Sequence, residues 1–135
     1  MVDVHIIEKA LSKILCRYIF VNKKFNNVLG TIGENLAKNY LKDLGLKIVA
    51  TNFKNKIGEI DIICYDKDIL VFVEVKYRKN NVFGMPREAV DYHKQRKIRL
   101  VATSYINKYK LNNKPCRFDV LEILGDEITL IKGCF

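Results

Sequence analysis

Seven residues in the middle of the chain, Ile69-Leu-Val-Phe-Val-Glu-Val75, leave little choice of fold. β-Branched and aromatic side chains fill both faces of this run, so it reads as a strand covered on both sides, at the centre of a sheet rather than its edge. A second apolar run, Ile57 to Tyr65, precedes it across the short polar segment Asp66-Lys67-Asp68, which predicts an antiparallel hairpin. A third strand-like run, Leu46 to Phe53, comes before both. A turn centred between Lys67 and Asp68 sets the hairpin register so that Asp61 faces Glu74. A slip of one residue would send the two carboxylates to opposite faces.

The rest of the chain supplies layers for that sheet. Thr31, three residues before Glu34, marks a helix start and Gly45 its end, with Leu36, Ala37, Tyr40, Leu41 and Leu44 at helical spacing between them. After a loop at Gly84 and Pro86, Glu88 to about Tyr109 reads as a helix with Ala89, Ile98, Val101, Ala102 and Tyr105 among its apolar positions. Two last strands, Arg117 to Leu124 and Glu127 to Lys132, flank a Gly125-Asp126 turn. The order predicts an α/β domain, an α+β mixed sheet flanked by helices, over residues 27–135. Residues 1–26 form an N-terminal amphipathic helical extension, with Val4, Ile7, Leu11, Ile14, Tyr18 and Val21 along one stripe and Lys9, Lys13 and Arg17 opposite. Packing of that stripe on the domain is its first reading, a dimer seam its second and a membrane-surface helix its third.

With 135 residues there is room for one core, and 24 Lys and Arg against 15 Asp and Glu leave a net charge of +9. Self-repulsion of that size points to a polyanionic partner, a nucleic acid or an anionic membrane surface. Arg17 interrupts the apolar run Ile14 to Val21, which is too short to span a bilayer, so no stable membrane insertion is expected. The cysteines, Cys16, Cys64, Cys116 and Cys134, have no metal-ligand spacing, and they predict a reducing, cytoplasmic setting with Cys64 as a small buried hydrophobe.

Two carboxylates facing each other across a hairpin repel unless a cation lies between them. That cation is either a divalent metal or Lys76, two residues beyond Glu74 on the same strand face. Mg²⁺ takes oxygen ligands and retains several waters, so two or three carboxylates and a substrate phosphate suffice for a site. Glu34 read alone completes a capping box, Thr31-x-x-Glu34, and Glu59 reads as a residue at the edge of the site.

Asp61, Glu74-Val75-Lys76 and Glu34 on a preceding helix resemble the PD-(D/E)xK nuclease core, with Ile60 where a proline would precede Asp61. More closely, Gly30-Thr31-Ile32-Gly33-Glu34 with Ala37 and Tyr40-Leu41, Gly58-Glu59-Ile60-Asp61-Ile62-Ile63, Val71-Phe72-Val73-Glu74-Val75-Lys76 with Arg78, Gly84-Met85-Pro86 with Glu88-Ala89-Val90 and Lys94, and Arg117-Phe118-Asp119-Val120 resemble the bacterial YraN family, which is similar to archaeal Holliday-junction resolvases. The resemblance spans about residues 28–132. It implies a restriction-endonuclease-like core. Glu34, Asp61 and Glu74 would be ligands of Mg²⁺ or Mn²⁺, and Asp61, Glu74 and Lys76 the catalytic residues. Lys94 of the family motif, with Arg78 and Arg87, is expected to contact phosphates. The expected activity is hydrolysis of DNA phosphodiesters, in branched or single-stranded DNA, with DNA ahead of RNA as substrate. A homodimer follows by analogy with symmetric resolvases. The alternative is a non-catalytic nucleic-acid-binding module of the same fold that recruits a DNA-processing enzyme as partner.

Overall fold

The computed structural model describes residues 3–7, 10, 26–78, 90–125 and 127–135. Its elements are α1 (Asn26–Asp43), β1 (Lys47–Lys54), β2 (Glu59–Asp66), β3 (Ile69–Arg78), α2 (Tyr92–Lys108), β4 (Cys116–Leu124) and β5 (Glu127–Ile131). The five strands form one mixed sheet in the order β1-β2-β3-β4-β5, with β3 at its centre as its two-sided apolar pattern requires. Only the β3–β4 pair is parallel, and α2 lies in the crossover between these strands. This is the expected α+β architecture, consistent with a restriction-endonuclease-like core.

Among the described residues, each face of the sheet is covered by one helix. On one side Ala37 and Leu41 of α1 pack with Ile62, Cys64, Val71, Val73, Leu121 and Ile123. On the other, Ile98, Val101, Ala102 and Tyr105 of α2 pack with Ile63, Leu70, Phe72 and Val120. Each fully buried aliphatic or aromatic side chain contributes about 1.5–3 kcal/mol over its exposed state, and this burial holds the three layers together. Cys64 is fully buried, and burial pushes its thiol up to about 12, so it acts as the small hydrophobe expected.

The hairpin register is the expected one. Asp66 pairs with Ile69, Cys64 with Val71 and Ile62 with Val73, around a turn in which Lys67 takes a left-handed φ of 55°. Residues 61 and 74 come next in line. The β1–β2 pair is a second antiparallel hairpin, and β2 begins at Glu59 rather than Ile57. Asn55 is the reason, because its side chain accepts the N–H groups of Ile57 and Gly58 and holds residues 55–58 as a turn.

Both helix starts differ from the sequence expectation. α1 begins at Asn26, which places Thr31 inside the helix, and Glu34 therefore does not belong to an N-terminal capping box. α2 begins at Tyr92 rather than Glu88, because Asp91 is the N-cap and its carboxylate accepts the Lys94 N–H at 2.8 Å. The end of α1 is as expected, with Gly45 at a φ of 88° after the last turn. Of the predicted N-terminal extension, Val4 to Ile7 are helical with exposed apolar side chains. Residues 11–25, with most of its stripe, lie outside the described residues, as do the loop at Gly84 and Pro86 and residues 88 and 89. No helix among the described residues is long and apolar enough to cross a membrane.

Candidate active site

β3 is an apolar strand up to Val73, and Glu74 is then buried at 5% exposure. A carboxylate in such a place needs partners. Two ammonium groups provide them: Lys94 Nζ of α2 lies 3.2 Å from Glu74 Oε1, and Lys76 Nζ of β3 lies 3.6 Å from the same oxygen. Lys94 is delivered by the helix N-terminus that Asp91 caps, and Gln95 fixes the same turn by donating its Nε2 to the Val90 carbonyl at 2.8 Å.

Asp61 sits where the β2–β3 ladder stops. Beyond Ile62↔Val73 the strands part, and Val75 donates its backbone N–H to Asp61 Oδ2 at 2.8 Å. The side chain thereby takes the place of a main-chain acceptor, which satisfies the freed N–H and fixes the carboxyl beside Glu74. Burial raises Asp61 from 3.8 to about 7, and the Glu74 charge adds to the rise, while the Val75 N–H and the Lys94 charge pull the other way. Both causes favour the protonated form of Asp61 beside Glu74, so the pair is crowded with negative charge when both carboxyls are ionised. The expected pairing of Asp61 with Glu74 is present, with Lys76 beside them.

Glu34 is placed differently. Its Oε2 accepts from Asn52 Nδ2 at 2.8 Å, and Asn52, at a left-handed φ of 52°, lies on β1 between the pairs Thr51↔Ile62 and Phe53↔Ile60, level with Asp61. Glu34 thus approaches the site through the strand next to Asp61. No three His, Cys, Asp or Glu side chains among the described residues are gathered closely enough to hold a metal ion. The structure brings together two of the three expected carboxylates and leaves the third on Asn52. Glu59 is exposed at the start of β2, Arg78 closes β3, and Arg87 lies outside the described residues.

Lys94, expected to contact phosphate, forms an ion pair with Glu74. A side chain on this helix reaches the strand only through tertiary packing, so sequence spacing does not reveal the contact. Sequence reasoning also missed Asn52 and Glu122. Glu122 is buried at 6% exposure on β4 and is the parallel-register neighbour of Lys76, on the same sheet face. Its signal was the one that exposed Glu74, a carboxylate interrupting an apolar strand.

The Arg117-Phe118-Asp119 motif serves the opposite end of the sheet. Asp119 is fully buried and accepts from Arg117 Nε at 2.8 Å, Arg117 Nη2 at 2.9 Å and the Gly133 N–H at 2.9 Å. Arg117 also reaches Asp66 at 3.0 Å, and its hydrogen bond holds the Asp66 carboxyl below the usual range. This network ties the hairpin turn to β4 and the C-terminal segment, away from the Asp61–Glu74 pair.

The model of the uncharacterised protein family UPF0102 matches residues 33–123, a span that contains Glu34, Asp61, Glu74, Lys76, Lys94 and Glu122. The chain belongs to the UPF0102 family. A UPF0102 protein of Clostridium beijerinckii is 52% identical over 101 residues, covering 75% of this chain and 82% of the relative. Another, from Caldanaerobacter subterraneus subsp. tengcongensis, is 48% identical over 114 residues, covering 83% of this chain and 91% of the relative. A third, from Clostridioides difficile, is 51% identical over 98 residues, covering 73% of this chain and 86% of the relative. The resemblance to YraN proteins is thus borne out at the level of the family. Within the UPF0102 match, the glycine of Gly33-Glu34 has a structural reason: a Cβ there would coincide with the Tyr77 hydroxyl, so any larger residue would displace the Tyr77 ring between α1 and β3.

Proposed function

We propose that this UPF0102 protein is a metal-dependent nuclease that hydrolyses DNA phosphodiesters. The observation that carries the reading is the pair of half-buried Asp61 and buried Glu74 at the point where the hairpin opens, with the Lys94 and Lys76 ammonium groups on Glu74. Two carboxyl groups crowded enough to retain a proton near neutral pH suit a divalent cation, whose charge replaces that proton and whose preference is for hard oxygen donors. Asp61 and Glu74 would hold Mg²⁺ or Mn²⁺, with Glu34 as the third ligand that the family resemblance assigns. When bound, the metal supplies Lewis-acid stabilisation of charge developing on the phosphodiester.

The chain's own residues do the remaining work. Lys76 orients and activates the attacking water at the edge of the carboxylate pair. Lys94, with Arg78 and Arg87, takes phosphate oxygens, and the net charge of +9 draws the polyanion toward an otherwise acidic centre. Asp61, anchored by the Val75 N–H, keeps its position as its charge changes. The thiols of Cys64 and Cys116, outside any disulfide, suit a cytoplasmic setting, and a two-fold dimer would present two such sites to a junction.

The test is cleavage of plasmid, single-stranded and four-way-junction DNA with Mg²⁺ or Mn²⁺ by the full chain, compared with Asp61→Ala and Lys76→Ala. Cleavage by the wild type that both variants lose is the expected result. Cleavage that survives both substitutions sinks the mechanism, and salt-sensitive binding without cleavage of any substrate favours the non-catalytic module instead.

A further inference from the structure

At the start of α2, the side chain that reaches Glu74 has an exposed aromatic neighbour. Tyr92 lies two residues before Lys94, about 3 Å along the helix axis. It is 74% exposed, the most open of the large apolar and aromatic side chains among the described residues. A tyrosine ring left this open forgoes the burial that aromatic side chains ordinarily gain. The ring is nevertheless held on a rigid support: the Asp91 cap, the Gln95–Val90 hydrogen bond and the buried Val90 fix the turn that carries it. The His93 ring stands edge-on to Tyr92 at 6.2 Å between centroids. One turn further along, Arg96 is exposed on the same side of the helix as Tyr92, and Lys97 is exposed next to it in sequence.

We infer that the N-terminal turn of α2 is a stacking platform for an unpaired nucleobase beside the phosphate taken by Lys94, with Tyr92 as the stacking surface. The inference rests on the nuclease reading for the position of that phosphate, and it adds the substrate class. An exposed ring takes the face of any base but only when the base is unpaired, so the platform selects single-stranded or flap-bearing DNA over continuous duplex. Arg96 and Lys97 supply charge for the adjoining backbone phosphates, which the surplus of basic residues complements.

The inference is tested with the full chain in a chelator, so that nothing is cleaved, by fluorescence anisotropy of a labelled oligothymidine and of a blunt duplex of equal length. Tyr92→Ala is expected to weaken binding of the single strand roughly tenfold and to leave the duplex within about twofold, whereas Tyr92→Phe keeps wild-type affinity for both. The Tyr92 ring is exposed, so Tyr92→Ala should unfold at the wild-type temperature, which separates lost stacking from lost folding. A single-strand affinity unchanged in Tyr92→Ala, or an equal loss on both ligands, overturns the platform while leaving the nuclease reading intact. Wild-type protein that binds neither ligand overturns nucleic-acid recognition altogether.

Discussion

Asp61 accepts the backbone N–H of Val75 through Oδ2 at 2.8 Å, so a side chain of one hairpin strand takes over a main-chain acceptor's place on the other. The relationship explains how the hairpin can open at its functional end without leaving a buried donor unpaired. It also fixes the carboxyl against Glu74 at an electrostatic cost.

That cost has a pH signature. With a folded-state value of about 7 against 3.8, Asp61 holds a proton that the unfolded chain gives up near pH 4. Its contribution to stability is complete below that point and is lost as pH rises through 7. Metal-free protein should therefore lose stability between about pH 4 and about pH 7, with a ceiling on the order of 4 kcal/mol. Asp66, whose carboxyl is held low by Arg117, acts with the opposite sign and only at more acidic pH. Asp61→Asn keeps an acceptor for Val75 and should flatten the profile. Urea denaturation in a chelator checks this, and equal wild-type midpoints at the two pH values would refute the proton held at Asp61.

Lys94 and an incoming cation compete for Glu74. Lys94→Met removes the nearer ammonium, 3.2 Å from Oε1, and should tighten Mn²⁺ binding several-fold by calorimetry. The same variant should weaken DNA binding and lower the salt slope by about one, as expected for one lost phosphate contact. Weaker binding of both ligands would contradict this division of roles.

Gly33 and Tyr77 set the distance between α1 and β3, and they are sequence neighbours of Glu34 and Lys76. Gly33→Ala drives a Cβ into the Tyr77 hydroxyl and should cost about 1–3 kcal/mol. Adding Tyr77→Ala relieves the clash, so the double variant should be more stable than the sum of the two singles. Strict additivity in chemical denaturation would show that the two residues do not meet.

The buried ion network is expected to act on stability alone. Asp119→Ala removes three hydrogen bonds and leaves the Arg117 guanidinium without its buried partner, a loss of about 3–5 kcal/mol. Protein that remains folded should bind DNA as the wild type does, because the network stands at the other end of the sheet. A DNA-binding defect at full stability, measured by anisotropy beside urea denaturation, would assign Asp119 to the site.

By itself the sequence determined the sheet's centre, the hairpin and the Asp61–Glu74 pairing. A two-residue turn at Lys67 and Asp68 sets the register locally, and the alternation of the strands then carries it to position 61. The helix starts were less legible, because several residues can cap and the choice depends on what packs behind them: Thr31 lost that role to an earlier start, and Asp91 took it ahead of α2. Only the tertiary structure decided that Lys94 rests on Glu74, that Asn52 holds Glu34 level with Asp61, and that Glu122 lies beside Lys76. Each of these joins elements far apart in the chain, brought together by burial of the α1 and α2 faces on the sheet. Burial is non-directional, so it fixes which faces meet without writing the resulting polar contacts into any local spacing.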